Sequence, residues 1–166
     1  MKKIIIMLMV FAPMSLFAQK FGHVDSQAII QGMPEVSKVS GELEAKAKEY
    51  ENEIQGMQKE LQTRVEEYEK NVSTMNDTKR KEVETELQQM NEKISQTYQA
   101  HQQDLAKMQQ EKFQPIQNKV LNAISNVGKA GGYVYIMDKS AGIPYISETL
   151  SKDVTSEVKD ELNKLK

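Results

Sequence analysis

The chain has 166 residues, of which 28% are charged and 6% aromatic, with no cysteine and a mean hydropathy of −0.61. That composition suits a water-facing helical protein with little conventional core, and without cysteine there is no disulfide, no thiolate chemistry and no cysteine to carry a lipid. The formal net charge of −2 becomes −4 once Lys2 and Lys3 are removed, which argues against the basic surface that general nucleic-acid binding needs.

The strongly hydrophobic stretch is at the start. Lys2 and Lys3 precede an apolar run over 4–17, about 14 residues and too short to span a bilayer comfortably, so 1–18 reads as an export signal cleaved after Ala18. Next, Lys20-Phe21-Gly22-His23-Val24-Asp25 alternates as a short strand does. Ser26 is expected to cap a short helix that carries Ile29 and Ile30 and ends near Gly32, and Pro34 stands where a first-turn proline opens the next helix.

From about residue 35 to about residue 127 apolar residues recur at helical spacing. The outgoing ladder is Val36, Val39, Leu43, Ala47, Tyr50, Ile54, Met57, Leu61, Val65, Tyr68, Val72 and Met75, a mean step of ~3.55 residues, between a heptad and a straight helix. The returning ladder is Val83, Leu87, Met90, Ile94, Tyr98, His101, Leu105 and Met108, then Ile116, Val120, Ile124 and Val127. Between them, residues 71–78 are rich in Asn, Ser, Thr and Asp, so the chain is expected to reverse there with Asp77 or Thr78 capping the second helix. A seam this narrow needs another helix lying along it, and its own partner limb is the nearest. The two limbs therefore form one antiparallel helical hairpin, an arm on the order of 57 Å long. Gly56 is an exposed glycine within it, and Pro115 is expected to kink the returning limb or locally break its hydrogen bonding. Ten glutamines between Gln88 and Gln117 keep that limb wet without adding charge.

Gly128, Gly131 and Gly132 are expected to end the hairpin, followed by a strand over 133–138, a turn, and a second short strand over 143–147 with Pro144 at its edge. A small amphipathic helix closes the chain, with Thr155 as its cap and Val158, Leu162 and Leu165 on one face. The division expected is thus 1–18 signal, 19–34 with 128–166 as a β body, and 35–127 as the arm with its tip near 71–78. About 50 body residues lie near the lower limit for independent stability, and a strand apolar on both faces needs cover on both. Oligomerisation through the body solves both problems. Phe21, Val24, Tyr133, Tyr135, Ile136 and Tyr145 are the residues expected to serve it.

Routes to catalysis are few. His23 and His101, the two histidines, show no metal-ligand spacing, the carboxylates sit on solvated helix faces, and Gly131-Gly132 precedes a strand instead of opening a helix. No enzyme, metal or cofactor is expected. Met57, Met75, Met90 and Met108 fit the ladders as seam residues, although thioethers also suit promiscuous apolar contact.

The order of these features resembles the Skp/OmpH family of periplasmic chaperones. The resemblance rests on Phe21-Gly22-His23-Val24-Asp25 with Gln27-Ala28-Ile29-Ile30 and Pro34, and on Gln114-Pro115-Ile116, Lys119, Ala123-Ile124, Val127, Gly132-Tyr133, Tyr135-Ile136-Met137-Asp138 and Asp153-Val154-Thr155. It implies a mainly α fold with a small β body: a homotrimer in which three hairpin arms project from a β-barrel-like base and enclose a cavity. The function implied is ATP-independent holding of unfolded outer-membrane β-barrel proteins in the periplasm. The family's tips are often basic, whereas here the charges between Gln62 and Lys93 are six positive to eight negative, which argues against contact with lipopolysaccharide or an anionic membrane. The rival expectation is a structural coiled coil that docks one specific partner through tip residues Met75, Asn76, Lys79, Arg80 and Lys81.

Overall fold

The computed structural model describes residues 19–165; the expected export signal lies outside them. β1 (Lys20–Val24) leads through α1 (Ser26–Gln31) into α2 (Pro34–Asn71), a 3-10 turn at Val72–Thr74 reverses the chain, and α3 (Asp77–Gly131) returns. β2 (Tyr133–Asp138), a second 3-10 turn at Lys139–Ala141, β3 (Ser151–Asp153) and α4 (Thr155–Lys164) complete it. The protein is mainly helical, with one small sheet at the end from which the hairpin projects.

Local chemistry sets the helix ends, in places one residue away from expectation. Asp25, not Ser26, caps α1: its carboxylate accepts from the Ala28 N–H at 2.8 Å, the third helical donor, which a carboxylate one position before the helix reaches best. Asn76, not Asp77 or Thr78, caps α3 by accepting from the Lys79 N–H at 2.8 Å. Asn76 has the extended backbone a cap requires, while Asp77 is already helical and places its charge at the positive end of the dipole. Thr155 is likewise the first helical residue of α4; the Asp153 carboxylate takes its N–H at 2.9 Å, and its own hydroxyl accepts from the Asp25 N–H at 3.0 Å. Gly132 ends α3 in the left-handed region (φ 66°), as a Cβ-free residue can. α3 runs through Pro115 as one continuous helix, with the local loss of a hydrogen-bond donor that proline entails. Phe113 and Ile116 on either side pack against the base and hold the turn despite the missing donor.

β1 is the central strand, paired in parallel with β2 on one side and β3 on the other. Parallel neighbours need long crossovers, and the whole hairpin is the crossover from β1 to β2. The expected strand over 143–147 is absent. Pro144 offers no donor to a ladder, and the free edge of β1 is taken by β3, with Phe21 opposite Ser151 and His23 opposite Asp153. Within one chain the sheet is open at β2 and β3 and is not a closed barrel. Gly22 allows the sheet to sit tightly: a Cβ there would lie 3.1 Å from Ile136 Cγ1 and 3.2 Å from Tyr133 Cδ1.

The core gathers where the hairpin joins the sheet. Val24, Ile29, Val120, Val154 and Val158 are its largest fully buried side chains, drawn from β1, α1, α3 and the start of α4. Each contributes roughly 1.5–3 kcal/mol by leaving water. Val158 and Leu162 are buried on the expected face of α4, and Leu165 packs partly against it.

Candidate functional site

Two surfaces stand out, the arm and the outer face of the base. The 38 residues of α2 give an arm of ~57 Å. Its seam residues are mostly half-buried, with Val39 and Ile94 buried. Ala47 and Tyr98, both expected in the seam, are exposed, and Thr97 takes the inward position between Ile94 and His101. Tyr98 is 54% exposed.

Polar contacts between the limbs flank this seam along its length. Near the base Lys119 Nζ meets Glu35 at 2.9 Å and Lys112 Nζ meets Glu42 at 2.7 Å. Hydrogen bonds from these ammonium groups hold both carboxyls below their usual value, helped at Glu35 by a backbone N–H and at Glu42 by the charge of Lys112. At mid-arm the Tyr50 hydroxyl donates to Asp104 at 2.6 Å, and His101 Nε2 lies 3.1 Å from Glu53. The Tyr50 and His101 rings stack with centroids 3.7 Å apart, and Lys46 sits 4.7 Å from the Tyr50 centroid. Towards the tip Arg64 reaches Glu86 at 3.4 Å and the Tyr68 hydroxyl donates to Glu84 at 2.6 Å. Both tyrosines are pushed up because their hydroxyls donate to carboxylates that would repel a phenolate.

The expected tip residues do come together at the reversal. Met75 is half-buried, Asn76 forms the cap, Lys79 pairs with Glu82 at 3.2 Å, and Arg80 lies 3.7 Å from Asp77. The local basic cluster is thus largely answered by its own acids.

The six body residues separate into two groups. Val24 is 1% exposed and lies in the chain's own core, while Tyr133 and Ile136 are half-buried against Gly22. Phe21 stacks on Tyr135 at 4.8 Å, and Val134, Tyr135, Met137, Tyr145 and Leu150 are each exposed, Tyr145 to 78%. Exposed apolar side chains of this size on a small base make it a candidate interaction surface.

Two polar clasps close the base. His23 Nδ1 lies 2.9 Å from Ser151 Oγ, and its Nε2 lies 3.6 Å from Asp153 Oδ2. Ser, His and Asp are the components of a hydrolytic triad, but here the buried ring is a strut between neighbouring strands. Ser26 donates its hydroxyl and its backbone N–H to Asp138, tying α1 to the end of β2. Burial opposes the Asp138 charge, yet the bonds from Ser26 and Ser140 outweigh it and keep that carboxyl below its usual value. Neither clasp was legible in advance, because sequence spacing gives no cross-strand register; the polarity of Ser151, Lys152 and Asp153 also hid β3. Among the described residues no group of three or more His, Cys, Asp or Glu side chains gathers as a metal site, and no helix is long and apolar enough to cross a membrane.

The chain thus joins a small mixed base to one long helical hairpin. Residues 20–162 match the family of outer membrane proteins described as OmpH-like, and the chain belongs to that family. It is 32% identical over 147 residues to the chaperone protein Skp of Yersinia enterocolitica, a match that covers 89% of this chain and 88% of that one. The Skp chaperone of Yersinia pseudotuberculosis is 34% identical over 141 residues, covering 85% and 84%. Among solved structures, an OmpH-like outer membrane chaperone of Caulobacter crescentus superposes with a TM-score of 0.76 at 14% identity over 89% of this chain and 86% of that one, a likeness of fold.

Proposed function

We propose that this chain is an exported holdase that captures unfolded outer-membrane β-barrel proteins between helical arms in the periplasm, without ATP. The observation that carries the proposal is the pairing of a long, wet-faced hairpin with a base whose outer face is apolar around Tyr135 and Tyr145. On this reading 1–18 directs export and is removed, 19–34 with 128–166 forms the body, and 35–127 is the arm. Three bodies pack through the outward faces of β2 and the 143–150 loop, which completes a barrel-like base that one chain leaves open. The three arms then surround a common space. Affinity arises from many weak contacts at high effective concentration, so no single deep pocket is needed.

The test is light scattering of a urea-unfolded outer-membrane barrel protein diluted into buffer. With the mature chain present and no nucleotide, scattering is expected to stay low. Scattering unchanged by the chain, or suppressed only when ATP is added, would overturn the proposal.

A further inference from the structure

At mid-arm the two limbs leave a cleft of about 310 Å³ on one side of the seam. Its floor is apolar, made by Ala47, Ile54, Leu105 and the exposed ring of Tyr98. Gln55, Gln58 and Gln102 line it with amides that both donate and accept, as the backbone of an extended chain requires. One wall is fixed in advance: Tyr50 is stacked against His101, approached by Lys46 and tied to Asp104 through its hydroxyl. Ordering the site therefore costs little on binding.

The charge around the cleft is net acidic. Residues 46–58 and 95–106 carry Glu49, Glu51, Glu53 and Asp104 against Lys46 and Lys48, and Lys46 is paired with Glu49 at 3.0 Å. Glu51 lines the cleft itself and accepts from Gln55 at 3.2 Å, and among the described residues it has no lysine or arginine across from it, unlike Glu35 and Glu42. An apolar floor, amide walls and an unanswered carboxylate fit one occupant. We infer that this cleft is a subsite for an extended segment of unfolded polypeptide, seating an apolar or aromatic side chain on Tyr98 and Ile54 with a neighbouring lysine or arginine against Glu51. The inference rests on the holdase reading and deepens it: the arm prefers client segments in which apolar residues are flanked by basic ones.

The test uses the full mature chain and two labelled unstructured peptides with the same aromatic and aliphatic residues, one flanked by lysine and arginine, the other by glutamate. Fluorescence anisotropy at low salt is expected to give about three- to fivefold tighter binding for the basic-flanked peptide, narrowing as salt screens the pair. Glu51→Lys is expected to reverse the preference, whereas Glu60→Lys, the same charge change on an exposed position that does not line the cleft, preserves its direction. Tyr98→Ala is expected to weaken both peptides. Because Glu51 and Tyr98 are exposed, neither change removes core, and circular dichroism checks the helices. Equal binding of the two peptides, or equal effects of Glu51→Lys and Glu60→Lys, would overturn the subsite. Measuring aggregation suppression on the same preparations separates the claims. Intact suppression with no peptide preference removes the subsite alone, and absent suppression removes the holdase reading with it.

Discussion

Arm length is the dimension on which enclosure depends, and it can be changed while the polar pairs that flank the seam stay in place. Deleting residues 56–62 and 91–97 removes one heptad from each limb, preserves the phase of both ladders and leaves the cross-limb pairs from Glu35–Lys119 to Tyr68–Glu84 in place. The deleted segments contain Lys59 with Glu60 and Glu92 with Lys93, so net charge is unchanged. At 1.5 Å per residue the arm shortens by ~10 Å, from ~57 to ~46 Å, close to one fifth of its reach. On the proposed trimer, the space bounded by three such arms shrinks at least in proportion. Light scattering with two unfolded clients, a barrel of about 8 strands and one of about 16, reads out the effect. The small client is expected to be held as before, while the large one needs severalfold more chaperone for the same suppression. Undiminished suppression of both clients by the shortened protein would refute enclosure as the source of holding.

Other outcomes follow from the base, the ion pairs and the tip. Tyr135→Asp with Tyr145→Asp adds charge at two exposed rings without touching the core, and on the proposed trimer it is expected to leave only monomer by sedimentation equilibrium while the helices persist. The carboxyls of Glu35, held down by the Lys119 hydrogen bond, and of Glu157, held down by Lys152, titrate below the ordinary 4.5. Their contribution to stability is therefore fully present above that value and is lost as pH falls through the lowered ones. The melting temperature should be level from pH 7 to about pH 5 and decline below about pH 4.5, and Lys119→Met should flatten part of that decline. Asn76→Ala removes the α3 cap at a cost of about 1 kcal/mol, seen as earlier fraying of the arm in hydrogen exchange, and suppression of aggregation is expected to survive it. Loss of function from that change alone would favour a partner docked at the tip.

The hairpin was legible because one pattern repeats along each limb, and the base was only partly so. Small deviations show where pattern yields to geometry. Tyr98 is more hydrophobic than Thr97, but the step of three from Ile94 points Thr97 inward and leaves the tyrosine ring outside. An expected cap at Asp77 or Thr78 placed the start of α3 one or two residues late, because the backbone at Asn76 is extended and that at Asp77 is helical. β3 is three polar residues with no alternation to read; it exists because β1 has a second edge to satisfy. The 143–147 segment had the better strand composition but carries Pro144 and finds no free edge on β1. At the candidate sites, residue types were visible and their partners were not. Tyr50 and His101 were both placed on the ladders, yet their stacking, and the cleft beside it, depends on a cross-limb register that neither limb encodes alone.

The most direct measurement is sedimentation velocity of the mature chain mixed with a urea-unfolded outer-membrane barrel protein diluted into buffer. The account predicts one discrete soluble species of three chains with one client. A chain that sediments by itself while the client precipitates would contradict it.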